Sequence, residues 1–417
     1  MSLGGIFRRL KSKAQGADPR FLQYAALEWA YWFAAAASGY LTVFLQSKGW
    51  SAADVGIVNA INNAVAIVAS PFWGAISDKM RSIRKVLLLC IAVGTVMWII
   101  VPVTSTIMIG PMMLSSILIP IGCFFRNPAG SLTNAWVVQA ANTHRLNFGA
   151  IRLWGSISYA VMAVALGFLL PYIGVESTFY IYGVANIPVF LLILLDKNDG
   201  TKAKSIKLKD MQIGKLFGNY FYVTFLIFFV ALNMPSNISL SFLPYLMKEM
   251  GADSSQLGLI MGYKALLEVP VLIYLVRLRR RFSLPSLMML GGLFYITESL
   301  LYSVSNGIIS LIAISTLHGL GGGIIIGCGA NYIYGLAPKD LKATAQTVSG
   351  SVTATAGILG NLMGGYLVDA IGIRRFYLVC AGIMVVALLF FAATFWIGKR
   401  WLHKTIPEAA QRGYMGG

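Results

Sequence analysis

Charge is what this sequence has least of. Its 417 residues hold 15 Asp and Glu against 33 Lys and Arg, so charged residues make up only 12%. A water-soluble globule carries about twice that share. With 57% hydrophobic residues and a mean hydropathy of +0.73, the chain cannot present a polar surface all round and requires lipid as its solvent. Cysteine is scarce too. Cys90, Cys123, Cys328 and Cys380 each sit in an apolar run without metal-ligand spacing, which excludes a disulfide scaffold and reads as packing. Nor is there a phosphate-binding glycine loop, a metal cluster or a nucleophile beside a base. That removes ATP hydrolysis and membrane-enzyme chemistry, and no cofactor is expected.

What the sequence does have is long apolar runs. About 18 or more such residues span the hydrocarbon layer as a helix, because every backbone group must be satisfied within the span. The runs predict twelve transmembrane helices near 22–46, 53–77, 84–104, 106–140, 145–170 and 175–195, then 219–248, 253–276, 284–304, 306–336, 341–369 and 375–398. The stretches 106–140 and 306–336 exceed one bilayer thickness and must tilt or extend beyond it. The run after Arg20 is too long for a cleavable signal core and reads as a retained first helix.

Basic residues test this count, since Lys and Arg concentrate in cytoplasmic loops. With both termini inside, 26 of the 33 fall on cytoplasmic segments, while Lys48, Lys248, Arg374 and Arg375 lie outside and Arg126, Arg152 and Lys264 fall within spans. The net charge of +18 thus reads as topology and attraction to anionic lipid, not as a nucleic-acid footprint. The expected organisation is a six-helix bundle at 1–196, a lysine-rich cytoplasmic linker at 197–217 and a second six-helix bundle at 218–417 with a short tail. The expected location is the inner (plasma) membrane, and the expected form a monomer.

The two halves repeat each other. An offset of 202 residues brings Tyr40-Leu41 onto Phe242-Leu243, Leu45 onto Met247, Gly49 onto Gly251 and Gly56 onto Gly258, and an offset of 198 brings Tyr172-Ile173-Gly174 onto Ala370-Ile371-Gly372. A parallel repeat implies halves related by an axis along the membrane normal, with a solute cavity between them near the midplane. Glycines following His318, with Gly357, Gly360, Gly364 and Gly365, suit helices that cross closely and slide.

Three segments resemble a known group. Gly74, Asp78, Lys79, Arg81, Arg84 and Lys85, between the second and third spans, resemble the loop signature of the major facilitator superfamily. A carboxylate at a helix end among cations can act as a cytoplasmic latch that breaks and reforms. The matching place in the second half, Arg277 to Arg281, keeps the basic cluster without the Gly and Asp. Phe148-Gly149, Arg152 and Gly155 look like the Phe-Gly-x-x-Arg-x-x-Gly of the lactose permease and its phenylpropionate-permease-like relatives. Thr316-Leu317-His318 resembles the proton-coupling histidine segment of the same group. The resemblance implies an all-α major facilitator fold of two pseudo-symmetric six-helix halves, and a solute-binding role for Arg152. It has three departures. The glutamate three residues beyond the histidine is Gly321, the ninth-span arginine is replaced by Glu298, and the sugar-binding glutamate is Asn134.

Charges well inside the spans are functional candidates, because each is costly in the bilayer unless it faces a cavity or a partner. The acids are Glu28, Glu268 and Glu298; the cations are Arg126, Arg152 and Lys264. Glu28 shares a helix face with Tyr24, Tyr31 and Trp32, a set suited to a sugar's apolar face and hydroxyls or to an aromatic solute. Lys264 and Glu268 are spaced to neutralise each other within one helix. An acid in a low-dielectric cavity takes up a proton more readily than one in water, and the candidates for coupling are Glu268, then Glu298 and His318, with Lys264 beside them. Asn59, Asn62 and Asn63 add neutral polar groups, as do Asn233 and Asn237, which flank the helix-bending Pro235. The solute-binding candidates are therefore Glu28, Tyr31, Trp32, Arg126, Asn134, Arg152, Asn233 and Asn237. Together these features predict a secondary transporter moving a sugar or similar polar solute by alternating access with protons. An aromatic-acid or nucleoside importer, a sodium-coupled or uncoupled carrier, and a drug exporter are the alternatives. An acid importer would need an unpaired cation at its site.

Overall fold

Five of the described helices begin where the sequence sets a capping side chain before an apolar run. Asp18 accepts from Arg20 N ahead of Pro19, Ser51 and Asp54 form a capping box, and Ser82, Asn219 and Ser283 cap three more starts. Each side-chain oxygen satisfies a backbone N–H that the helix leaves free. The structure, a computed structural model, describes residues 18–109, 112–146, 148–196, 214–338, 341–403, 407 and 410. Among the described residues are twelve long helices: α1 (Pro19–Ala37), α2 (Ala52–Lys79), α3 (Ile83–Thr104), α4 (Leu114–Thr143), α5 (Phe148–Ile173), α6 (Ser177–Leu195), α7 (Tyr220–Glu249), α8 (Leu257–Arg281), α9 (Leu284–Val304), α10 (Ile308–Leu336), α11 (Lys342–Ile371) and α12 (Ile373–Arg400). The expected linker and the basic residues before Asp18 lie outside the described residues, apart from a helical turn at Gly214–Phe217.

Two spans differ from expectation. The first is broken: α1 ends in a 3-10 turn at Ser38–Tyr40 and resumes as Leu41–Ser47. The fourth starts later than 106, because Met108–Ile109 and Met112–Met113 pair as a two-residue ribbon before α4. Nine of the described helices are individually long and apolar enough to cross a bilayer. The other three, α1, α4 and α11, carry polar residues that face the interior cavities described below.

The packing repeats with a shift of six helices. In the first half α1 packs on α5 and α6, α3 on α4 and α6, and α2 on α4; in the second α7 packs on α11 and α12, α9 on α10 and α12, and α8 on α10. The halves meet through α2 against α11 and α5 against α8, a pair of contacts that the same shift exchanges. The sequence repeat is largely a repeat of turns. Gly49 and Gly251 have φ of 83° and 69°, Gly174 and Gly372 have 76° and 83°, and these left-handed values favour glycine.

The apolar core divides unevenly. At the end bearing Lys48, Glu176, Lys248 and Arg374, one core joins both halves, with Tyr40, Phe44, Phe242, Leu246 and Tyr377 among its members. The remaining core is two separate clusters, one around Trp73 and Trp136 in the first half and one around Phe228 and Tyr332 in the second. Hydrogen bonds reinforce the shared end. Asp369 of α11 accepts from Ala52 N at 3.1 Å and Ala53 N at 2.8 Å, capping α2 from the other half. Tyr245 Oη donates to the Trp50 carbonyl at 2.9 Å, and Gln46 Nε2 to the Pro244 carbonyl at 3.0 Å. Gly56 lies on the Asn361 carbonyl and Gly365, and Gly258 on the Ala163 carbonyl and Tyr40 Oη. Only the missing Cβ lets these backbones meet.

Candidate functional site

Opposite groups from the two halves converge on a cavity of about 340 Å³. Trp32 of α1 and Arg152, Ser156 and Tyr159 of α5 line one side; Lys264 and Glu268 of α8 and His318 of α10 line the other. In the first half, the Arg152 guanidinium lies 4.2 Å from the centre of the Trp32 ring. Its Nη1 is 3.9 Å from Oε2 of Glu28, which is fully buried. Gly155 makes this possible, since a Cβ there would strike Trp32, Arg152 Nη1 and Glu28 Oε2 together. The glycine that closes the Phe148 motif is thus the floor of the Arg152 site. Trp32 in turn stands edge-on to Tyr159, with ring centres 6.4 Å apart.

The second half holds a tighter cluster. Glu298 of α9 accepts from Lys264 Nζ at 3.1 Å and from His318 Nδ1 at 2.9 Å. This corrects the expectation that Lys264 and Glu268 neutralise each other along α8. Lys264 leans toward buried Glu298 on the neighbouring helix, and Glu268 is left facing the cavity, with no ion pair within 4.0 Å among the described residues. The glycines after His318 are packing surfaces: Gly319 and Gly323 lie against Leu267 and Val271 of α8. Gly321, where the resembling group has a glutamate, abuts the Gly291 carbonyl and the Tyr295 ring. A Cβ there would stand 3.0 Å from each, so a longer side chain requires them to give way.

Arg126 is in neither cluster. It lines a second cavity of about 310 Å³ with Asn59, Asn62, Asn63, Asn127 and Asn361, and its Cζ stands 4.2 Å over the Trp98 ring of α3. Tyr31 lies beside it, lining a smaller adjoining space with Tyr182 and Asn186. Asn134 is outside the lining of these cavities. So are Asn233 and Asn237, whose amides donate at 2.8 Å to the carbonyls of Phe229 and Asn233 on their own helix. Asn59, Asn62, Asn63 and Asn361 are the polar lining that the second cavity uses instead.

At the foot of α2, Gly74 accepts from Ser77 Oγ at 2.8 Å and Asp78 sits in the last turn, next to Lys79. Arg81 takes a left-handed φ of 51°, allowing the chain to reverse quickly into α3, where Lys85 N donates to the cap oxygen of Ser82 at 3.2 Å. Arg84 has an occupation within its own half: Nε and Nη2 donate at 3.1 and 2.6 Å to the carbonyls of Ile193 and Leu194, closing the end of α6. Cations at a helix C-terminus satisfy carbonyls that the helix leaves open.

The chain matches the MFS_1 like family over residues 21–379. It belongs to that family. Its family and relatives are transporters, so the chain is a membrane-embedded secondary transporter and not an enzyme. Among relatives, a maltose permease of Geobacillus stearothermophilus is 24% identical over 361 residues, covering 84% of this chain and 89% of the permease. The uncharacterized transporter YwbF of Bacillus subtilis (strain 168) is 22% identical over 375 residues, covering 87% and 91%. The crystal structure of the nucleoside transporter NupG superposes with a TM-score of 0.76 at 17% identity, covering 91% of this chain and 99% of that one. At that identity the likeness to NupG is one of fold.

Proposed function

We propose that this MFS_1 like transporter takes up a saccharide or similar small polyhydroxylated solute together with protons, as a monomer in the plasma membrane. The observation that carries the reading is the shared cavity, where Arg152 stacked on Trp32 faces Glu268 and His318 across the two halves. An aromatic face with a guanidinium fork suits a sugar ring and its hydroxyls. Glu268, the cavity carboxyl without an ion-pair partner among the described residues, is the proton carrier. Lys264 and His318 hold Glu298 as a fixed counter-charge beside it. The maltose permease relative supports the sugar reading, as does the resemblance to the lactose permease and phenylpropionate-permease-like group.

In this reading residues 1–196 and 218–417 rock against each other, with both termini and the linker 197–217 on the cytoplasmic side. The sealed end is then the outer one, and the structure corresponds to the inward-facing stage of the cycle. When the outer seal parts, Gly74, Asp78, Arg81, Arg84 and Lys85 latch the inner end. A nucleoside importer is the second reading, favoured by the rings of Trp32 and Tyr159 and by the fold shared with NupG.

The test is solute-triggered proton uptake into liposomes holding the purified protein, screened over disaccharides, monosaccharides, nucleosides and aromatic acids. A sugar should alkalinise the external medium, and Glu268→Gln and Arg152→Ala should each abolish that response. Solute entry without proton movement would instead make the protein an uncoupled or sodium-coupled carrier. Nucleoside entry alone would replace the saccharide reading.

A further inference from the structure

The second cavity has a composition of its own. It shares only Leu240 and Met261 with the charged one. Arg126 is the single charged residue in its lining, surrounded by asparagines from both halves, Asn62 of α2 and Asn361 of α11 among them. The arginine is fixed rather than mobile: its guanidinium lies on Trp98, its Nη2 is 3.8 Å from Cys123 Sγ, and Gly94 of α3 fits against its backbone.

Hydrogen-bonding capacity is left over in a definite pattern. Arg126 Nε is buried without an acceptor, and no carboxylate lies within 4.0 Å of the guanidinium among the described residues. Asn62 Oδ1 and Asn361 Oδ1 are buried without donors. A buried cation normally has a counter-charge, and buried carbonyls normally have donors. The complement of this chamber is one anionic acceptor accompanied by hydroxyl donors. Chloride would answer Arg126 and leave both amides unsatisfied, and a neutral sugar would answer the amides and leave the cation bare.

We propose that the Arg126 chamber binds the carboxylate of a polyhydroxylated acid of the aldonate or uronate type, with its hydroxyls donating to Asn62 and Asn361. That such an acid is also carried across rests on the saccharide reading above; its binding does not. Because Asn62 and Asn361 belong to different halves and sit next to the α2–α11 crossing, the bound acid bridges the halves at the sealed end. The unpaired cation that an acid importer requires is therefore Arg126, while Arg152 is paired with Glu28.

Calorimetric titration of the purified full-length protein with D-gluconate, D-glucuronate and D-glucose, with ionic strength held by sodium methanesulfonate, tests this. The acids should bind about 10-fold or more tightly than glucose, the size of one charge-assisted hydrogen-bond pair. Arg126→Gln should erase that preference. Asn361→Asp, which adds a carboxylate to the chamber, should weaken the acids relative to glucose, and it serves if the arginine variant does not fold. Equal binding of acid and neutral sugar overturns the proposal. So does a preference that survives Arg126→Gln, or a site that chloride saturates and gluconate does not enter. Gluconate binding without movement into liposomes would sink the transport reading and keep the subsite; glucose transport without any preference for the acids would do the reverse.

Discussion

A methyl group at Gly258 tests whether the seal between the halves is a working part. Gly258 lies where α8 crosses α5, and an added Cβ would land on Tyr40 Oη and the Ala163 carbonyl. Backbone cannot yield as a flexible side chain does, so Gly258→Ala should carry the usual overpacking cost of about 1–3 kcal/mol. That cost falls on the sealed state alone, because the crossing is released once the halves part. The ratio of unsealed to sealed protein should then rise roughly 5- to 150-fold. Spin labels at Tyr172→Cys and Ile309→Cys report it, since these residues are 88% and 81% exposed on opposite halves at the sealed end. The four native cysteines are at most 1% exposed and stay unlabelled. Pulsed distance measurements should show a longer component growing in Gly258→Ala and not in Gly382→Ala, where a methyl meets open space. An unchanged distance distribution with normal uptake in Gly258→Ala would refute the reasoning.

Three further outcomes follow from the same contacts. Lys264→Met or Glu298→Gln alone leaves a buried charge uncompensated, at a cost of about 3–5 kcal/mol, and should lower the yield of folded protein; the double variant should recover it in a thermal unfolding assay. Glu268→Gln should keep solute counterflow while losing proton-driven accumulation, and accumulation that persists would assign the coupling proton elsewhere. Asp369→Ala removes the hydrogen bonds by which the other half caps α2, leaving its Ser51–Asp54 box in place, and should weaken the seal by about 0.5–2 kcal/mol, seen as faster labelling of a cysteine introduced at Ala52.

The spans were legible because hydropathy is a property of consecutive residues, and so were the turn glycines that the half-to-half repeat aligns. Gly56 and Gly258, aligned by the same repeat, proved to lie at the two crossings between halves. The Arg152 motif carried its own geometry, down to Gly155. Lys264 was misassigned because helical spacing sees one helix at a time, whereas its partner Glu298 approaches from α9, 34 positions away in sequence. The same blindness hid Arg84, two of whose partners are carbonyls of α6, and the distance of Arg126 from every carboxylate among the described residues, an absence that leaves no mark in the sequence. Asn233 and Asn237 looked like cavity groups because sequence does not tell whether an amide turns outward or back onto its own helix.

The length of α2 carries a mechanical consequence. At about 1.5 Å of rise per residue, its 28 residues make a lever roughly 42 Å long. A tilt of about 10° around its middle swings each tip by roughly 3.6 Å, and opposite tilts of the two halves part the tips by roughly 7 Å. A hexose ring is about that wide. A small rotation at the cavity thus becomes a doorway at the membrane surface, and a shortened α2 would lose aperture in proportion to its missing turns.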